Sequence, residues 1–365
     1  MYSITLEVNQ ICNFSCDYCY LGKLSSKRMD FVTAYQAMEI AFLNAQRHAD
    51  RMVWIDFVGG ETLLSYEFIR KVSDWIDLEA QKRNLAVKYS ITTNGSIINQ
   101  DILEWLIRKK VQVKISIDGG KEVQDKNRKY CDGSGTHDKI IDNIAQFHEY
   151  ENRTKMRMQA THVVTRNNYE DLYNSVKYLV EDLEMQVIDS ALDLSVEWNY
   201  EQLDFIAKEW EKVIEYNLMR IHKGKPFMWG LIIDMQQYFA PSVCKGCGVG
   251  AIRIYVRTDG SIYGCASNLT ETGYLGDVKG GLIIQKVKHY LGNEQECLKC
   301  NHCIFKRKCL AKICLMNRTR QENGNEIPNW VMCYLEEKKQ TLWNKYKEYI
   351  RIVTRMILIL IIISP

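Results

Sequence analysis

Cys12-Asn13-Phe14-Ser15-Cys16-Asp17-Tyr18-Cys19 follows directly on an alternating apolar run, Ile4, Leu6 and Val8. Its three cysteines stand with gaps of three and two residues between them. Thiolates this close in sequence can converge on one metal centre without help from the rest of the chain. Their number is informative. A four-iron, four-sulfur cluster is normally held by four cysteines, one per iron. Three leave one iron without a protein ligand, able to take a small molecule as the open position of a catalytic zinc does. Tyr18, just ahead of the third cysteine, can present an aromatic edge to a heterocycle bound there. A partial zinc site or a chance cysteine cluster is the competing interpretation of these eight residues.

Outward from this stretch, periods of two and of 3.6 residues alternate along the chain. Residues 2–9 read as a strand ending at the cysteine loop. Strands also fit 52–58, 86–92, 111–117, 155–165 and, weakly, 185–188. Helices fit 30–48, 66–83, 99–109, 137–149, 169–184 and 201–222. This alternation implies right-handed βαβ crossovers and a parallel sheet. About six such units are present, fewer than in a full eight-fold barrel. The four prolines (Pro226, Pro241, Pro328, Pro365) leave that region unbroken.

In parallel α/β folds, ligands collect at the C-terminal ends of the strands. Polar signals recur where these strands stop: Gly59-Gly60-Glu61, then Thr92-Thr93-Asn94-Gly95, then Ser116-Ile117-Asp118-Gly119. A glycine pair lets backbone approach a ligand closely, with carbonyls and amides able to pair with an amino group. Asn and Ser at strand ends can hydrogen-bond ribose hydroxyls or a carboxylate. Taken singly, each signal is equally served by turn chemistry, since Asn-Gly and Asp-Gly favour positive φ.

The cysteine stretch resembles the CxxxCxφC signature of the radical S-adenosylmethionine (radical SAM) enzymes. That resemblance implies an α/β fold, a partial (β/α)6 barrel of the TIM type, with which the count of units agrees. It implies that the open iron chelates the amino and carboxylate groups of S-adenosylmethionine (SAM). One electron from the cluster then cleaves the sulfonium to methionine and a 5′-deoxyadenosyl radical. The cofactor carries the hard chemistry, and the protein supplies geometry and exclusion of water. Gly59-Gly60-Glu61 resembles the family's GGE motif, which holds the methionine amino group; Thr62 stands where the family usually has proline. The two later strand ends resemble its TNG and SxDG segments. The implied cofactor-binding set is therefore Tyr18, Gly59, Gly60, Glu61, Asn94, Ser116 and Asp118, with Cys12, Cys16 and Cys19 on the cluster. Asp125-Lys126-Asn127-Arg128 and Gly133-Ser134-Gly135 look like the peptide-modifying branch; Arg128 serves a carboxylate or ties down its loop. Cys131 has no motif role and reads as a loop thiol.

At 365 residues the chain is long for one domain and comfortable for two. Hydrophobic residues at 46% and charged residues at 25% allow a sizeable core. A balance of 48 Lys+Arg against 45 Asp+Glu argues against nucleic acid as a partner. The thirteen cysteines are uneven: three in 12–19, Cys131, and nine from Cys244 to Cys333. A disulfide framework needs an oxidising compartment, yet the N-terminus has no basic-then-apolar export signal. A reducing cytoplasm is expected, where dense cysteine usually means metal. Because oxygen attacks exposed iron–sulfur clusters, the family resemblance also implies an anaerobic host. Met356 to Ile363 is apolar throughout, but eight residues fall far short of a membrane span. Core docking, weak membrane contact or a gene-boundary artefact all fit that tail.

From Cys244 the pattern is Cys244-x2-Cys247, twelve residues to Gly260, and x4 to Cys265. Cys300-x2-Cys303-x5-Cys309-x4-Cys314 and Cys333 follow. Asp259-Gly260 signals a hairpin between 253–257 and 261–264, which would set Cys247 and Cys265 side by side. On spacing alone, zinc and iron–sulfur fit equally. Downstream of a radical SAM core, the arrangement resembles the SPASM domain, departing by x4 for x3 before Cys314 and by the extra Cys244 and Cys297. The resemblance implies one auxiliary cluster on Cys247, Cys265 and Cys314 with Cys244 as fourth ligand. A second would sit on Cys300, Cys303, Cys309 and Cys333, with Cys297 an alternative to Cys300. If Cys244 is not a ligand, the first has an open iron for a substrate thiolate. The expected layout is a barrel over 1–235, a small cysteine-rich iron–sulfur (SPASM) domain over 236–350 and the apolar tail 351–365.

The implied function is an oxidoreductase: a radical SAM peptide maturase forming a thioether or carbon–carbon crosslink in a ribosomally made peptide. One radical SAM [4Fe-4S] cluster and two auxiliary ones would serve it. Partners would be the peptide and an electron donor such as a flavodoxin or ferredoxin; because the chain begins almost at the cluster motif, leader recognition is expected to fall to a separate leader-binding protein or to the barrel rim. No residue is singled out as a catalytic base. The alternative is an anaerobic sulfatase-maturating enzyme making formylglycine. In that family an aspartate directly after the equivalent of Cys265 is the proposed base, and Ala266 stands here. A zinc or electron-transfer module explains neither the GGE turn nor the three-cysteine site.

Overall fold

The computed structural model describes residues 1–22, 25–236, 248–292, 298–305, 309, 311, 314, 318–320 and 326–363. Strand β1 (Tyr2–Asn9) runs into the cysteine loop, where β2 (Phe14–Cys16) lies, and helix α1 (Phe31–Ala45) carries the chain back. The same strand–helix step repeats five times. Its members are β3 (Met52–Gly59) with α2 (Tyr66–Lys82), β4 (Ala86–Thr93) with α3 (Gln100–Arg108), and β5 (Gln112–Ser116) with its crossover. That crossover holds α4 (Lys121–Asn127), β6 (Arg128–Tyr130) and α5 (His137–Thr154). The last two steps are β7 (Gln159–Val164) with α6 (Leu172–Glu181) and β8 (Val187–Leu192) with α7 (Tyr200–His222). β1, β3, β4, β5, β7 and β8 pair in parallel in that order, and a two-residue β9 (Met228–Trp229) follows β8 before α8 (Gly230–Gln236).

Burial alternates along much of each barrel strand. Ile4, Leu6, Val53, Ile55, Phe57, Ile91, Val113, Ile115 and Ala160 face the helices and are wholly buried. Their neighbours Thr5, Asp56, Lys114, Ser116, Thr161 and Asp189 point to the inner face and keep access to solvent. All-parallel sheets are normally covered on both faces. This one is covered by helices on one face only, and its polar face lines an open cleft.

Element ends follow local chemistry. Asp30 caps α1 by accepting from the Thr33 amide at 2.7 Å, so the helix expected from residue 30 begins at Phe31. α5 stops where Lys155 turns left-handed (φ 60°), and the Glu151 carboxylate takes the Met158 amide at 2.8 Å. The strand expected over 155–165 therefore starts at Gln159. The helix expected over 169–184 is a 3-10 turn, Tyr169–Asp171, followed by Leu172–Glu181. Asn199 and Gln202 form a capping box at the start of α7. The antiparallel pair β2–β6, with Cys16 opposite Arg128, escaped sequence analysis because three residues carry no periodic signal.

Past residue 247 the sheet continues. The expected hairpin is present as β10 (Arg253–Val256) and β11 (Ser261–Tyr263), and β10 pairs in parallel with β1, Leu6 opposite Val256. With β12 (Tyr274–Asp277) and β13 (Gly281–Leu282) it extends the barrel strands into one sheet of eleven, which crosses residue 236. α9 (Ile284–Gly292), α10 (Leu298–Asn301) and the pair β14 (Arg318–Arg320) and β15 (Glu326–Pro328) precede a long helix, α11 (Trp330–Ile363). α11 buries Val331, Leu335, Leu342, Ile350 and Val353. It is also tied to α7 by Lys338–Asp204 at 2.7 Å and the Tyr346 hydroxyl to Glu215 at 2.8 Å. The apolar run 356–363 is the end of this helix. Among the described residues, no helix is long and apolar enough to cross a membrane.

Candidate active site

The three-cysteine loop sits where β1 ends and is fastened to the neighbouring strand ends. The Gly60 amide donates to the Asn9 carbonyl at 3.1 Å, and the Glu61 amide to the Ile11 carbonyl at 2.7 Å. A Cβ on Gly60 would lie 2.4 Å from the Ile11 carbonyl oxygen and 3.0 Å from the Cys12 nitrogen. Only glycine permits this approach of the turn to the loop. Cys12, Cys16 and Cys19 are each half-buried. Among the described residues no three His, Cys, Asp or Glu side chains close on a single ion. Without metal, burial pushes the Cys12 thiol up to about 12. Burial, opposed by the nearby Arg128 guanidinium, pushes Cys16 up to about 11.

The predicted strand-end residues converge on this loop in different ways. The Glu61 carboxylate is buried and fully engaged, accepting from the Leu63 amide at 2.9 Å, the Thr93 hydroxyl at 2.8 Å and the Asn94 amide at 2.7 Å. Glu61 thus ties β3 to β4, leaving backbone rather than carboxylate to meet a ligand. Asn94 donates to Asn13 at 2.9 Å, and its amide nitrogen stands 3.9 Å from the Cys12 sulfur. Asn13 in turn donates to Ser96 at 2.8 Å. Asp118 takes the Tyr18 hydroxyl at 2.5 Å and the Val163 amide at 3.0 Å, with the Arg128 Nε 3.2 Å away. The Arg128 guanidinium lies over the Tyr18 ring, 5.1 Å from its centroid. Tyr18 is therefore pinned at both hydroxyl and ring face. Ser116 is half-buried on the inner face, one turn of strand below Asp118.

These residues fit an iron–sulfur cluster that chelates SAM: three thiols, a glycine turn without room for a Cβ, and polar groups on three adjacent strand ends. Cys12, Cys16 and Cys19 would hold the cluster. Asn13 and Ser96, absent from the sequence-derived set, join the site through hydrogen bonds. Nothing in the linear pattern marks them, because each acts on a residue about 80 positions away.

A second network joins this end of the barrel to the hairpin. Glu7, wholly buried on β1, accepts from the Tyr255 hydroxyl at 2.8 Å and from Gln10 at 2.7 Å, and Arg257 stands 3.5 Å away. Tyr263 pairs with Tyr255, which pairs with Thr5. Two residues further on, Cys265 falls near the start of β1, while Cys12 follows its end. With about 3.3 Å per residue, the two cysteines stand roughly 20 Å apart along the barrel. Cys265 and Cys314 both pack against the hydrophobic core, and Cys309 is buried. Cys300, Cys303 and Cys333 are half-buried. Cys244, Cys247 and Cys297 lie outside the described residues.

The inner face carries charge that the sequence reading passed over. The Asp56 carboxylate accepts from the Ser90 hydroxyl at 2.5 Å and meets Lys114 at 3.0 Å. Asp189 opens to the cleft further round the barrel. The available signal was a single charged residue in an apolar strand, as in Val53-Trp54-Ile55-Asp56-Phe57 and Val113-Lys114-Ile115.

Comparison with known proteins bears on the same region. The model of the radical SAM superfamily matches residues 6–179. An uncharacterised protein of Methanocaldococcus jannaschii is 32% identical over 180 residues, which is 49% of this chain and 59% of that protein. The cysteine-type anaerobic sulfatase-maturating enzyme of Clostridium perfringens is 25% identical over 353 residues, 89% of this chain and 92% of its own. A solved structure of native anSMEcpe with bound AdoMet and Cp18Cys peptide superposes with a TM-score of 0.76, at 21% identity over 97% of this chain and 99% of that one. The fold is shared over nearly the whole of both chains.

Proposed function

We propose that this chain, a radical SAM enzyme of the SPASM, peptide-maturase-like branch, oxidises a residue of a peptide bound in the barrel cleft. When bound, the cluster and SAM supply a 5′-deoxyadenosyl radical that takes a hydrogen atom from the peptide. The chain's own residues set the geometry. Gly60 keeps the turn against the cluster loop, Glu61 and Asn94 lock the strand ends, and Asp118 with Arg128 fixes Tyr18.

One observation carries this reading: the polar inner face of the sheet lies open between the cysteine loop at one end and Cys265 at the other. An extended chain fits such a cleft better than a compact metabolite does. The radical would form at the Cys12–Cys19 end. Auxiliary clusters on Cys244, Cys247, Cys265 and Cys314, and on Cys300, Cys303, Cys309 and Cys333, would take the second electron. A thioether or carbon–carbon crosslink is the first reading of the outcome; Ala266 stands where a sulfatase-maturating enzyme has its proposed base, so any proton acceptor must lie elsewhere. Formylglycine formation is the second reading, favoured by the near-full-length similarity to the C. perfringens enzyme. A flavodoxin or ferredoxin in the cytoplasm would serve as electron donor.

Anaerobic reconstitution tests the reading. About twelve irons per chain are expected, for three four-iron clusters, with 5′-deoxyadenosine released under dithionite. Co-expression with cysteine-containing peptides encoded beside the gene, followed by mass spectrometry, separates crosslink from aldehyde. Zinc in place of iron, or SAM left intact under dithionite, sinks it.

A further inference from the structure

Oxidising a peptide thiol needs more than a hydrogen-atom acceptor. Once a hydrogen atom has left carbon, closing the carbon radical requires one electron and one proton to leave as well. The S–H bond breaks and its proton leaves; of the sulfur electron pair and the unpaired electron on carbon, two electrons form the new carbon–sulfur bond, and the third would pass to an oxidised auxiliary iron–sulfur cluster held by the C-terminal cysteines. The proton needs an acceptor on the cleft wall. This holds for a thioether and for a thioaldehyde alike.

Glu7, Asp56 and Asp189 are carboxylates on the inner side of the strands, and their surroundings separate them. Glu7 is wholly buried and held by Tyr255, Gln10 and the nearby Arg257. Asp56 is taken by Ser90 and Lys114. By register it stands level with Ser90 and Gln112, four residues below Ser116, or about 13 Å down the barrel. Asp189 differs on both counts. Register runs from Ser116 to Thr161 to Asp189, so it stands level with the strand end that flanks the cluster loop. Two strand spacings separate it from Ser116, about 10 Å. Among the described residues no side chain donates a hydrogen bond to its carboxylate. Its side chain is exposed to the cleft, and the surrounding protein together with nearby Asp234 raises its affinity for a proton, opposed by Lys114.

We propose that Asp189 is the catalytic residue that accepts the substrate's proton, a role that rests on the peptide-oxidation reading above. Its aim is set by Gly230, the first residue of α8. A Cβ there would lie 2.3 Å from the Asp189 Oδ1. The carboxylate rests against bare backbone, and any larger residue at position 230 displaces it without deleting it.

The test uses the full chain, reconstituted with iron and sulfide, and a cysteine-containing peptide deuterated on carbon. Two products are counted: deuterated 5′-deoxyadenosine, which reports hydrogen-atom removal, and oxidised peptide. In the wild-type chain their ratio is near one. Asp189→Asn is expected to lower oxidised peptide per deuterated 5′-deoxyadenosine at least tenfold. Asp189→Glu restores most of the ratio, and Gly230→Ala gives an intermediate value. A wild-type ratio in Asp189→Asn overturns the assignment. So does a higher peptide KM at an unchanged ratio, which would make Asp189 a binding group for a cation. If the wild-type chain transfers no deuterium, the peptide-oxidation reading itself fails, whatever Asp189 does.

Discussion

The two faces of this sheet are made by the same strands and do opposite work. On β3, Val53, Ile55 and Phe57 are wholly buried against helices, while Asp56 between them meets Ser90 and Lys114 at the cleft. On β5, Val113 and Ile115 are buried, and Lys114 and Ser116 are not. One face holds the fold together through removal of apolar surface from water, about 25 cal/mol per Å². The other leaves polar groups half-exposed, which contributes little to stability and is explained by a ligand. Stability and chemistry are separated by a single residue step along each strand.

Substitutions should therefore sort by face. The largest effect is expected from Cys16→Ala, which removes a cluster ligand: 5′-deoxyadenosine formation should fall to background, at least about a thousandfold or ~4 kcal/mol of barrier. The melting temperature of the metal-free chain should hardly move. Next, Ile115→Ala on the helix side should cost about 2–5 kcal/mol in urea unfolding, as large-to-small core changes do, with SAM cleavage per folded molecule preserved. Gly60→Ala forces the turn away from the Cys12 loop, and about a tenfold loss of SAM affinity is expected, ~1.4 kcal/mol, readable by equilibrium binding to the reconstituted protein. Smallest of all, Lys114→Met on the inner face should change stability by less than about 1 kcal/mol, the range of a partly exposed ion pair, while raising the peptide KM a few-fold. If Lys114→Met unfolds the chain or Ile115→Ala abolishes SAM cleavage in folded protein, the division between faces is wrong.

Much of the barrel was legible because its signals are local and repeated. Each strand alternates, each helix has its stripe, and caps such as Asp30 and Asn99 stand where the pattern starts. The polar strand ends were legible for the same reason. Their roles were not. Gly59-Gly60-Glu61 reads as a turn that offers backbone to a ligand, and only the structure shows the Glu61 carboxylate engaged by three donors from its own turn and from β4. Tyr18 reads as an aromatic edge for a bound heterocycle, and only the structure shows that Asp118 and Arg128 hold it in place. The division expected near residue 235 likewise gave no hint that β10 would join β1 edge to edge.

From sequence alone came the parts whose physics is short-range: three thiols within eight residues, strand and helix periods, glycines at turns, and through them the superfamily. Tertiary structure decided whatever depends on residues far apart in the chain. It brought Glu7 to Tyr255 across 248 positions, left the inner face uncovered, and set Asp189 level with Ser116. Backbone propensity acts over a few residues, whereas the pairing of strands, and so the company each carboxylate keeps, is chosen by burial of the whole apolar face at once.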